Sequence, residues 1–256
     1  MGLQGPKEKG VALVTGAARR IGLRIAERLA EAGYAVALHS SPKSKAEAEA
    51  AADRIGLAGT RTCVIAADLA DASAVAGVIK EANRVLGPLS LLVNNASVFE
   101  EDSARSFDLG LWDRQFAVNL RAPALLSRDF ANQMRAEGEG AIINIIDQRV
   151  WRLTPQFFSY SLSKSALWAA TCTMAQAYAP RIRVNAVGPG PVLPNQMQGE
   201  AGFKKEVEGL PLKRAVTPDD IADAVLYLAA ARNVTGQMIA VDAGQHLAWE
   251  TPDVIG

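Results

Sequence analysis

Three polar side chains, Asp147, Tyr160 and Lys164, stand at spacings that could support acid–base chemistry. Tyr160 and Lys164 are four residues apart at the start of a segment with helical spacing, so the phenol and the ammonium share one helical face. Asp147 ends a continuous apolar run that is typical of a strand buried on both faces. Ligands of open α/β sheets bind beyond the carboxyl ends of the strands, so the three groups are expected to converge beside a ligand.

The elements that must position these groups follow from alternating short apolar segments and longer segments of helical spacing. This alternation predicts an α/β fold, a single-domain Rossmann-type doubly wound parallel sheet of about seven strands with helices on both faces, over residues 1–256. Strands are predicted at 11–16, 35–40, 62–68, 89–96, 141–147, 182–187 and 237–242. Helices are predicted at 21–32, 45–55, 72–86, 111–136, 159–178 and 218–231.

Two stretches depart from this alternation. Residues 1–9 are polar and are predicted to be flexible. Residues 188–209 contain three prolines up to position 194 and follow the sixth strand on the same sheet edge as Asp147. We expect this stretch to be irregular and to cover the substrate.

Composition excludes several classes of partner. Lys plus Arg and Asp plus Glu both number 27, and this balance argues against nucleic acid or an anionic membrane as partner. The two cysteines, Cys63 and Cys172, have no metal-type spacing and are expected to be core residues in a reducing compartment. With no apolar signal core and no apolar run of membrane-spanning length, the protein is expected to be cytoplasmic and to bind no metal.

The first strand leads into TGAARRIG at residues 15–22. Gly16 and Gly22 bracket a turn that opens a helix, whose N-terminus can receive a pyrophosphate on backbone N–H groups. Such a turn alone is equally consistent with a tight connection, but its place in the first strand–helix crossover favours a dinucleotide. Arg19 and Arg20 oppose the helix dipole at this end, which indicates a bound anion.

The residues after the second strand bear on the choice of dinucleotide. His39, Ser40 and Ser41 precede two lysines, and the first acid is Glu47 in the next helix. Hydroxyls and ammonium groups suit a ribose 2′-phosphate, so NADPH is favoured over NADH. The alternative is a polar turn that contacts nothing, and His39 taken alone is more often structural.

Further polar residues follow the third and fourth strands. Asp68 could meet an adenine edge, or the Asp-Leu-Ala-Asp stretch at 68–71 could supply the N-cap of the helix that starts near residue 72. Small and amide side chains at 94–97 permit close approach of a flat ring, and Phe99 follows in a loop. Asn119 lies in an apolar helical segment and requires buried hydrogen-bond partners.

These motifs resemble the short-chain dehydrogenases/reductases over nearly the whole chain. The resemblance is carried by TGAARRIG, by NNA at 94–96, by Asn119, by the Tyr160–Lys164 spacing, by RVNAVGPG at 183–190 and by VTGQMIAVDAG at 234–244. It implies that Tyr160 donates a proton and that Lys164 binds the nicotinamide ribose and lowers the pKa of Tyr160. It also implies that Asn119 holds a water that connects Lys164 to solvent, and that the protein is a homotetramer or homodimer.

Two departures from the common family pattern resemble the pteridine reductase and dihydromonapterin reductase-like branch. Arg20 replaces a glycine, and Asp147 stands at the usual serine position, thirteen residues before Tyr160. The resemblance implies that Phe99 and the nicotinamide sandwich a pterin and that Arg20 faces pyrophosphate and substrate. An ionised carboxylate only accepts hydrogen bonds and opposes alkoxide formation, so Asp147 suits protonation of a ring nitrogen; its alternative is a turn or cap residue.

The leading hypothesis is therefore an NADPH-dependent reductase of a pterin or dihydropterin, with dihydrofolate as a further candidate. The alternatives are a carbonyl reductase acting on a keto ester, sugar or other small ketone, and a non-catalytic dinucleotide sensor. The predicted catalytic residues are Asp147, Tyr160, Lys164 and Asn119, and the predicted substrate contacts are Arg20, Ser97, Phe99, Asp147 and Tyr160. The predicted cofactor contacts are Gly16, Arg19, Arg20, Ile21, His39, Ser40, Ser41, Asp68, Leu69, Asn95, Ala96, Ser97, Tyr160, Lys164, Pro189, Gly190 and Val192.

Overall fold

The computed structural model describes residues 9–134, 137–194 and 199–248 and contains one seven-stranded sheet. Its order is β3-β2-β1-β4-β5-β6-β7, and every neighbouring pair is parallel. The strands are β1 Gly10–Val14, β2 Tyr34–Ser40, β3 Thr62–Ala66, β4 Leu89–Asn94, β5 Gly140–Ile145, β6 Ile182–Pro189 and β7 Met238–Val241. The strand order reverses between β1 and β4, where doubly wound sheets bind ligands.

Helices cover both faces of this sheet. They are α1 Arg20–Glu31, α2 Lys45–Gly56, α3 Ala72–Val75, α4 Val78–Leu86, α5 Leu109–Phe116, α6 Ala122–Gln133, α7 Phe158–Tyr178, α8 Gly199–Glu208 and α9 Pro218–Ala230. A π-helical segment, Ala117–Arg121, joins α5 to α6. The predicted α/β Rossmann-type parallel sheet is thus confirmed.

The core follows from the alternation of side chains along buried strands. In β1, Ala12 and Val14 pack with α1, α2 and α9 on one face, while Val11 and Leu13 pack with α4, α6 and α7 on the other. Both faces are apolar, so the polar residues that follow the strands are left at the sheet edge. That edge gathers the β1 turn, the β4 loop, Asp147 and the end of β6.

Two helix predictions and the prediction for the stretch 188–209 need correction. The helix predicted at 72–86 is divided into α3 and α4, and the one predicted at 111–136 contains the π-helical segment and ends at Gln133. The stretch 188–209 is not irregular throughout, because α8 occupies Gly199–Glu208. Helix-forming Glu, Ala, Lys and Val residues outweigh its internal glycine, and Gly199 takes a left-handed φ of 62° at the start.

Parts of four predictions lie outside the described residues. These are the N-terminal residues 1–8, residues 135–136 of the helix predicted at 111–136, residues 195–198 of the covering segment, and residues 249–256 of the predicted domain. Within the described residues, no helix combines the length and apolarity needed to cross a membrane.

Candidate active site

The centre of the site is a hydrogen bond from the Tyr160 hydroxyl to Asp147 Oδ2, 2.9 Å long. Asp147 lies two residues beyond the end of β5, and Tyr160 is in the first turn of α7. The other carboxylate oxygen, Oδ1, accepts from Arg149 N at 2.8 Å and caps a short 3₁₀ turn. Asp147 therefore caps a turn, which was the alternative role predicted from the sequence, and it also accepts the hydrogen bond of the Tyr160 phenol.

Lys164 lies one helical turn beyond Tyr160, as its spacing predicts. Its Nζ is 5.8 Å from the Tyr160 ring centroid and donates to the Ile145 carbonyl at 2.8 Å. The side chain is 2% exposed, and burial lowers the pKa of the Lys164 ammonium from 10.5 to about 8, against an opposing influence of Asp147.

The expected lowering of the Tyr160 pKa by Lys164 is wrong for this structure. Burial, followed by the charge of Asp147 and the hydrogen bond to it, raises the pKa of Tyr160 well above 10. Arg149 acts in the opposite direction but does not reverse the shift. Lys164 directs its proton to a backbone carbonyl, so the phenol keeps its own proton at neutral pH.

A carboxylate from a distant loop holds the helix that carries Tyr160. Asp102, which is 8% exposed, accepts from Ser159 N at 3.0 Å and also from the Ser159 hydroxyl. Gln115 Nε2 donates to the same Ser159 hydroxyl at 3.0 Å. Asp102 thus caps the first turn of α7 from 57 residues away, which no local sequence pattern could indicate.

Asn119 is fully buried in the π-helical segment. Its Nδ2 donates to the Val98 carbonyl at 2.9 Å and to Ser163 Oγ at 3.1 Å, while its Oδ1 accepts from Val98 N and from the Ser97 hydroxyl. These bonds tie the loop after β4 to α7. The role predicted for Asn119, holding a water beside Lys164, stays a prediction.

An aromatic wall stands beside the phenol. Phe99 meets Tyr160 edge-on at 4.7 Å between centroids and stacks on Phe157 at 4.3 Å. Phe157 adopts a left-handed φ of 58°, which turns its ring toward Phe99. A flat ligand on Phe99 would use the face away from Phe157, a residue that the sequence did not single out.

Arg149 was also missed from the sequence. Its guanidinium carbon is 5.6 Å from the Phe99 centroid and 5.1 Å from the Phe157 centroid, and its Nη1 is 3.5 Å from Asp147 Oδ2. It brings a positive charge to both the aromatic wall and the carboxylate. An arginine in a short turn has no periodicity that would reveal such a position.

These groups face a cavity of about 290 Å³, which we call the proximal cavity. The sequence-predicted residues that line it are Arg20, Ile21, Asn95, Ser97, Phe99, Asp147, Tyr160, Lys164, Pro189, Gly190 and Val192. Arg20 also donates to the Pro194 carbonyl at 3.4 Å, so it lies between the β1 turn and the segment after β6. The structure therefore brings together residues from four separate parts of the chain.

A second cavity of about 500 Å³ adjoins it along the β1 turn. The sequence-predicted residues that line this nucleotide cavity are Gly16, Arg19, Arg20, Ile21, His39, Ser40, Ser41, Asp68, Leu69, Asn95, Ala96 and Ser97. Four of them, Arg20, Ile21, Asn95 and Ser97, also line the proximal cavity, so the two cavities share this wall.

The backbone of the β1 turn fits close approach of an anion. Gly16 has a φ of 66°, and a Cβ there would lie 3.0 Å from the Ala96 Cα; a Cβ on Gly22 would lie 2.2 Å from the Gly16 carbonyl oxygen. Thr15 Oγ1 accepts from Asn95 N at 2.9 Å, and Asn95 Nδ2 donates to the Thr15 carbonyl at 2.8 Å. Within the described residues, no side chain caps the start of α1 and no acid lies in its first turn.

His39 supports this turn without contributing charge. Its ring is 2% exposed, with Nδ1 accepting from Gly16 N at 3.3 Å and Nε2 3.1 Å from the Ala67 carbonyl oxygen. Burial lowers the pKa of His39 to about 4, so the imidazole is neutral. Both ring nitrogens are engaged by backbone, which favours the structural interpretation of His39 over a direct phosphate contact.

The polar groups after β2 and in the β1 turn, where a ribose 2′-phosphate is expected, differ in whether they are available to a ligand. Ser40 Oγ is buried and has no hydrogen-bond partner among the described residues, so it can serve a ligand. Arg19 is exposed and lies 3.8 Å from Glu47, the acid considered too remote from sequence. Asp68 Oδ1 accepts from Ala70 N at 2.9 Å, while Asp71 is the N-cap of α3. The helix cap considered for the stretch 68–71 is thus confirmed, at Asp71.

A doubly wound parallel sheet with a glycine turn at its switch point, together with a buried Tyr–Lys pair at the same edge, is the arrangement of a dinucleotide-binding oxidoreductase. The family described as "Enoyl-(Acyl carrier protein) reductase" matches residues 16–246. A "Short-chain type dehydrogenase/reductase" of Picea abies is 35% identical, covering 92% of both chains. The 3-oxoacyl-[acyl-carrier-protein] reductase FabG of Staphylococcus epidermidis is 34% identical, covering 92% of this chain and 98% of the relative.

Solved structures give closer matches. The FolM alternative dihydrofolate reductase 1 from Brucella canis, complexed with NADP, is 51% identical over 96% of this chain and 98% of that chain, with a TM-score of 0.93. The corresponding Brucella suis protein in complex with NADP is 52% identical, covers 96% of this chain and 99% of that chain, and has the same TM-score of 0.93. The chain belongs to the short-chain dehydrogenase/reductase superfamily and is an oxidoreductase. The FolM similarity fits the pteridine reductase-like branch predicted from the sequence.

Proposed function

We propose that the protein is an NADPH-dependent reductase of pterins or dihydropterins, including dihydrofolate. The observation that carries this proposal is the 2.9 Å hydrogen bond from Tyr160 to Asp147. A carboxylate beside the proton donor would raise the energy of an alkoxide and favour a substrate whose reacting atom is a ring nitrogen. The 51% identity to a protein named alternative dihydrofolate reductase supports the same substrate class.

Tyr160 is the proposed proton donor. Its raised pKa keeps the phenol protonated at neutral pH, and its hydroxyl faces the proximal cavity. It gives this proton to a ring nitrogen of a C=N bond, and Asp147, with a side chain that is 14% exposed, returns a proton from solvent. The nicotinamide, when bound, supplies the hydride to the adjacent ring carbon.

Lys164 and Asn119 complete the proposed catalytic group. The Lys164 ammonium, fixed on the Ile145 carbonyl, lines the proximal cavity and can donate to a ribose hydroxyl there. Asn119 holds the loop after β4 against α7 and thereby sets the distance between Ser97 and the phenol-bearing helix.

NADPH is the proposed cofactor. The glycine turn would receive the pyrophosphate, and Arg19, Ser40 and Ser41 would face the 2′-phosphate in the nucleotide cavity. The Brucella canis and Brucella suis neighbours were both solved with NADP, which agrees with the sequence prediction. Asp68 and Leu69 are proposed to border the adenine, and Pro189, Gly190 and Val192 the nicotinamide.

The substrate ring is proposed to lie in the proximal cavity. Phe99 would stack on it, Ser97 would supply a hydroxyl, and Arg20 would face both the ring and the cofactor phosphates. Among the described residues, three cations, Arg20, Arg149 and Lys164, line this cavity, and its two acids are Asp147 and Glu206. The cations offer donors to the oxo and ring-nitrogen acceptors of a pterin.

The proposal is tested by following NADPH absorbance with a panel of dihydropterins and dihydrofolate. We expect turnover with at least one of them, and the variant Tyr160→Phe is expected to lose about 10²-fold or more of kcat because it lacks the proton. Absence of NADPH oxidation with every member of the panel, by a folded protein that binds NADPH, would sink the proposal.

A carbonyl reductase is the second candidate function. It is favoured by the relatives named 3-oxoacyl-[acyl-carrier-protein] reductase at 34–35% identity. The same absorbance assay with a β-keto ester, a sugar ketone and an acyl-carrier keto thioester distinguishes it. A kcat/KM for one of these above that for any dihydropterin would make carbonyl reduction the principal activity.

We further propose that the enzyme is cytoplasmic and assembles as a homotetramer or homodimer. The assembly is the one that the resemblance to the family implies, and the compartment is the one that the sequence features indicate. Light scattering coupled to size-exclusion chromatography tests the assembly, and a monomer at micromolar concentration would contradict it.

A further inference from the structure

A third cavity, of about 500 Å³, opens beside the proximal cavity and is called here the distal cavity. Its walls come from the 3₁₀ turn that follows Asp147, from the loop after that turn, and from α8. Arg149, Glu206 and Gln245 line both the distal and the proximal cavities. The two cavities are therefore neighbours, and a molecule whose reacting ring lies against Tyr160 would reach the distal cavity by passing these three side chains.

The distal cavity is positively charged. Arg149, Arg152 and Lys205 line it, and Glu206 is the one acid among its described lining residues. The Glu206 carboxylate accepts from Gln245 Nε2 at 2.8 Å, which fixes it in the wall between the two cavities. The remaining charge balance favours an anionic ligand group, because Asp147 pairs with Arg149 and Glu206 offsets one more cation, which leaves one positive charge.

Two buried polar atoms at the distal cavity have no hydrogen-bond partner among the described residues. Gln148 lines the distal cavity and is 4% exposed, yet its Oε1 has no hydrogen-bond partner among the described residues. The buried Nε of Arg149 likewise has none there. A buried acceptor and a buried donor left in this way are unfavourable unless a ligand or water satisfies them.

We infer that the distal cavity binds the amide- and carboxylate-bearing tail of the substrate whose pterin ring occupies the proximal cavity. An amide N–H suits Gln148, its carbonyl suits Arg149, and terminal carboxylates suit Arg152 and Lys205. The preferred substrates are then pterins extended by an aromatic amide that ends in carboxylates, of which dihydrofolate is the simple case. This inference rests on the proposed pterin reductase function.

Three substrates with the same pterin ring and different lengths of tail show how much each part of the tail contributes to binding. Dihydrofolate carries the amide and both carboxylates, dihydropteroate lacks the glutamate and its amide, and 6-hydroxymethyl-dihydropterin lacks the whole aromatic tail. KM and kcat are measured for each with the wild type and with the double variant Arg152→Gln, Lys205→Gln. Lys204→Gln is the matched control, because Lys204 belongs to the same helix and pairs with Glu208 at 3.9 Å, outside the described lining.

We expect the double variant to raise the ratio of the dihydrofolate KM to the hydroxymethyl-dihydropterin KM by roughly fivefold to tenfold, since each exposed charge pair contributes up to about 1 kcal/mol. kcat for dihydrofolate is expected to change less than twofold, and Lys204→Gln to leave the ratio as in the wild type. Calorimetric titration of folate into enzyme loaded with NADP⁺ should show the same weakening without any turnover.

An unchanged KM ratio and an unchanged folate affinity in the double variant would overturn the inference while leaving pterin reduction intact. An equal loss for all three substrates would also overturn it, because a tail site cannot act on a substrate without a tail. Failure of the wild type to reduce any of the three would instead reject the proposed function itself, and the inference with it.

Discussion

Replacing Lys164 with methionine should make the protein more stable at neutral pH while removing its activity. The Lys164 side chain is 2% exposed, and burial lowers the pKa of its ammonium from 10.5 to about 8. The folded state therefore binds this proton less tightly than the unfolded chain does. The resulting cost to stability is fully present below about pH 8 and disappears as the pH rises past about 10.5.

The magnitude follows from the difference of about 2.5 pKa units between these two values. That difference corresponds to about 3 kcal/mol at pH 7 and about 1 kcal/mol at pH 9.5. Methionine removes this cost, but it also removes the Nζ donor that lies 2.8 Å from the Ile145 carbonyl oxygen. The loss of this hydrogen bond reduces the gain in stability by about 1–2 kcal/mol. Lys164→Met should thus be about 1–2 kcal/mol more stable than the wild type at pH 7. Between pH 7 and pH 9.5 this stability difference should shift by about 2 kcal/mol in favour of the wild type.

Urea unfolding at pH 7 and pH 9.5, without added nucleotide, measures both values. Lys80→Met on α4 is the control, because it makes the same replacement at a lysine that is exposed. If the stability difference between Lys164→Met and the wild type did not change between the two pH values, the buried ammonium would not carry the cost described. Reductase activity in the variant close to that of the wild type would contradict the proposed role of Lys164.

Two further substitutions test the supports of the site. Asp102→Asn should lower the free energy of unfolding by about 1 kcal/mol and reduce kcat, because the helix carrying Tyr160 loses its charged cap. Asp108→Asn, which alters the cap of α5, should lower stability without that effect on kcat, and equal effects on kcat would contradict the positioning role of Asp102. Glu47→Gln should release Arg19 and improve NADPH affinity about twofold while leaving NADH affinity unchanged, as measured by calorimetry; a gain for both cofactors would contradict it.

The parts of the fold that could be predicted are those that depend on local patterns. The run of apolar residues before Asp147 is buried on both faces of β5, as its composition indicates. Tyr160 and Lys164 share a helical face because a helix repeats every 3.6 residues. The glycine turn could be located because both of its bracketing glycines meet backbone that a Cβ would strike.

The parts that could not be predicted depend on contacts between distant residues. Asp102 caps α7 from another loop, and Arg149 reaches the aromatic wall from a turn without periodicity. The direction of the Tyr160 pKa shift depends on burial and on whether Lys164 faces the phenol oxygen or a backbone carbonyl, which spacing alone leaves open. α8 was missed because nearby prolines and glycines dominated the pattern of that stretch.

The central claim is that Asp147 directs Tyr160 toward a ring C=N bond, and Asp147→Ser tests it most directly. NADPH oxidation is measured for wild type and variant with a dihydropterin and with a β-keto ester. We expect the variant to lose about 10²-fold in kcat/KM for the dihydropterin and to gain activity on the keto ester, because a serine hydroxyl donates to a developing alkoxide. Retained dihydropterin reduction together with weaker keto ester reduction would contradict it.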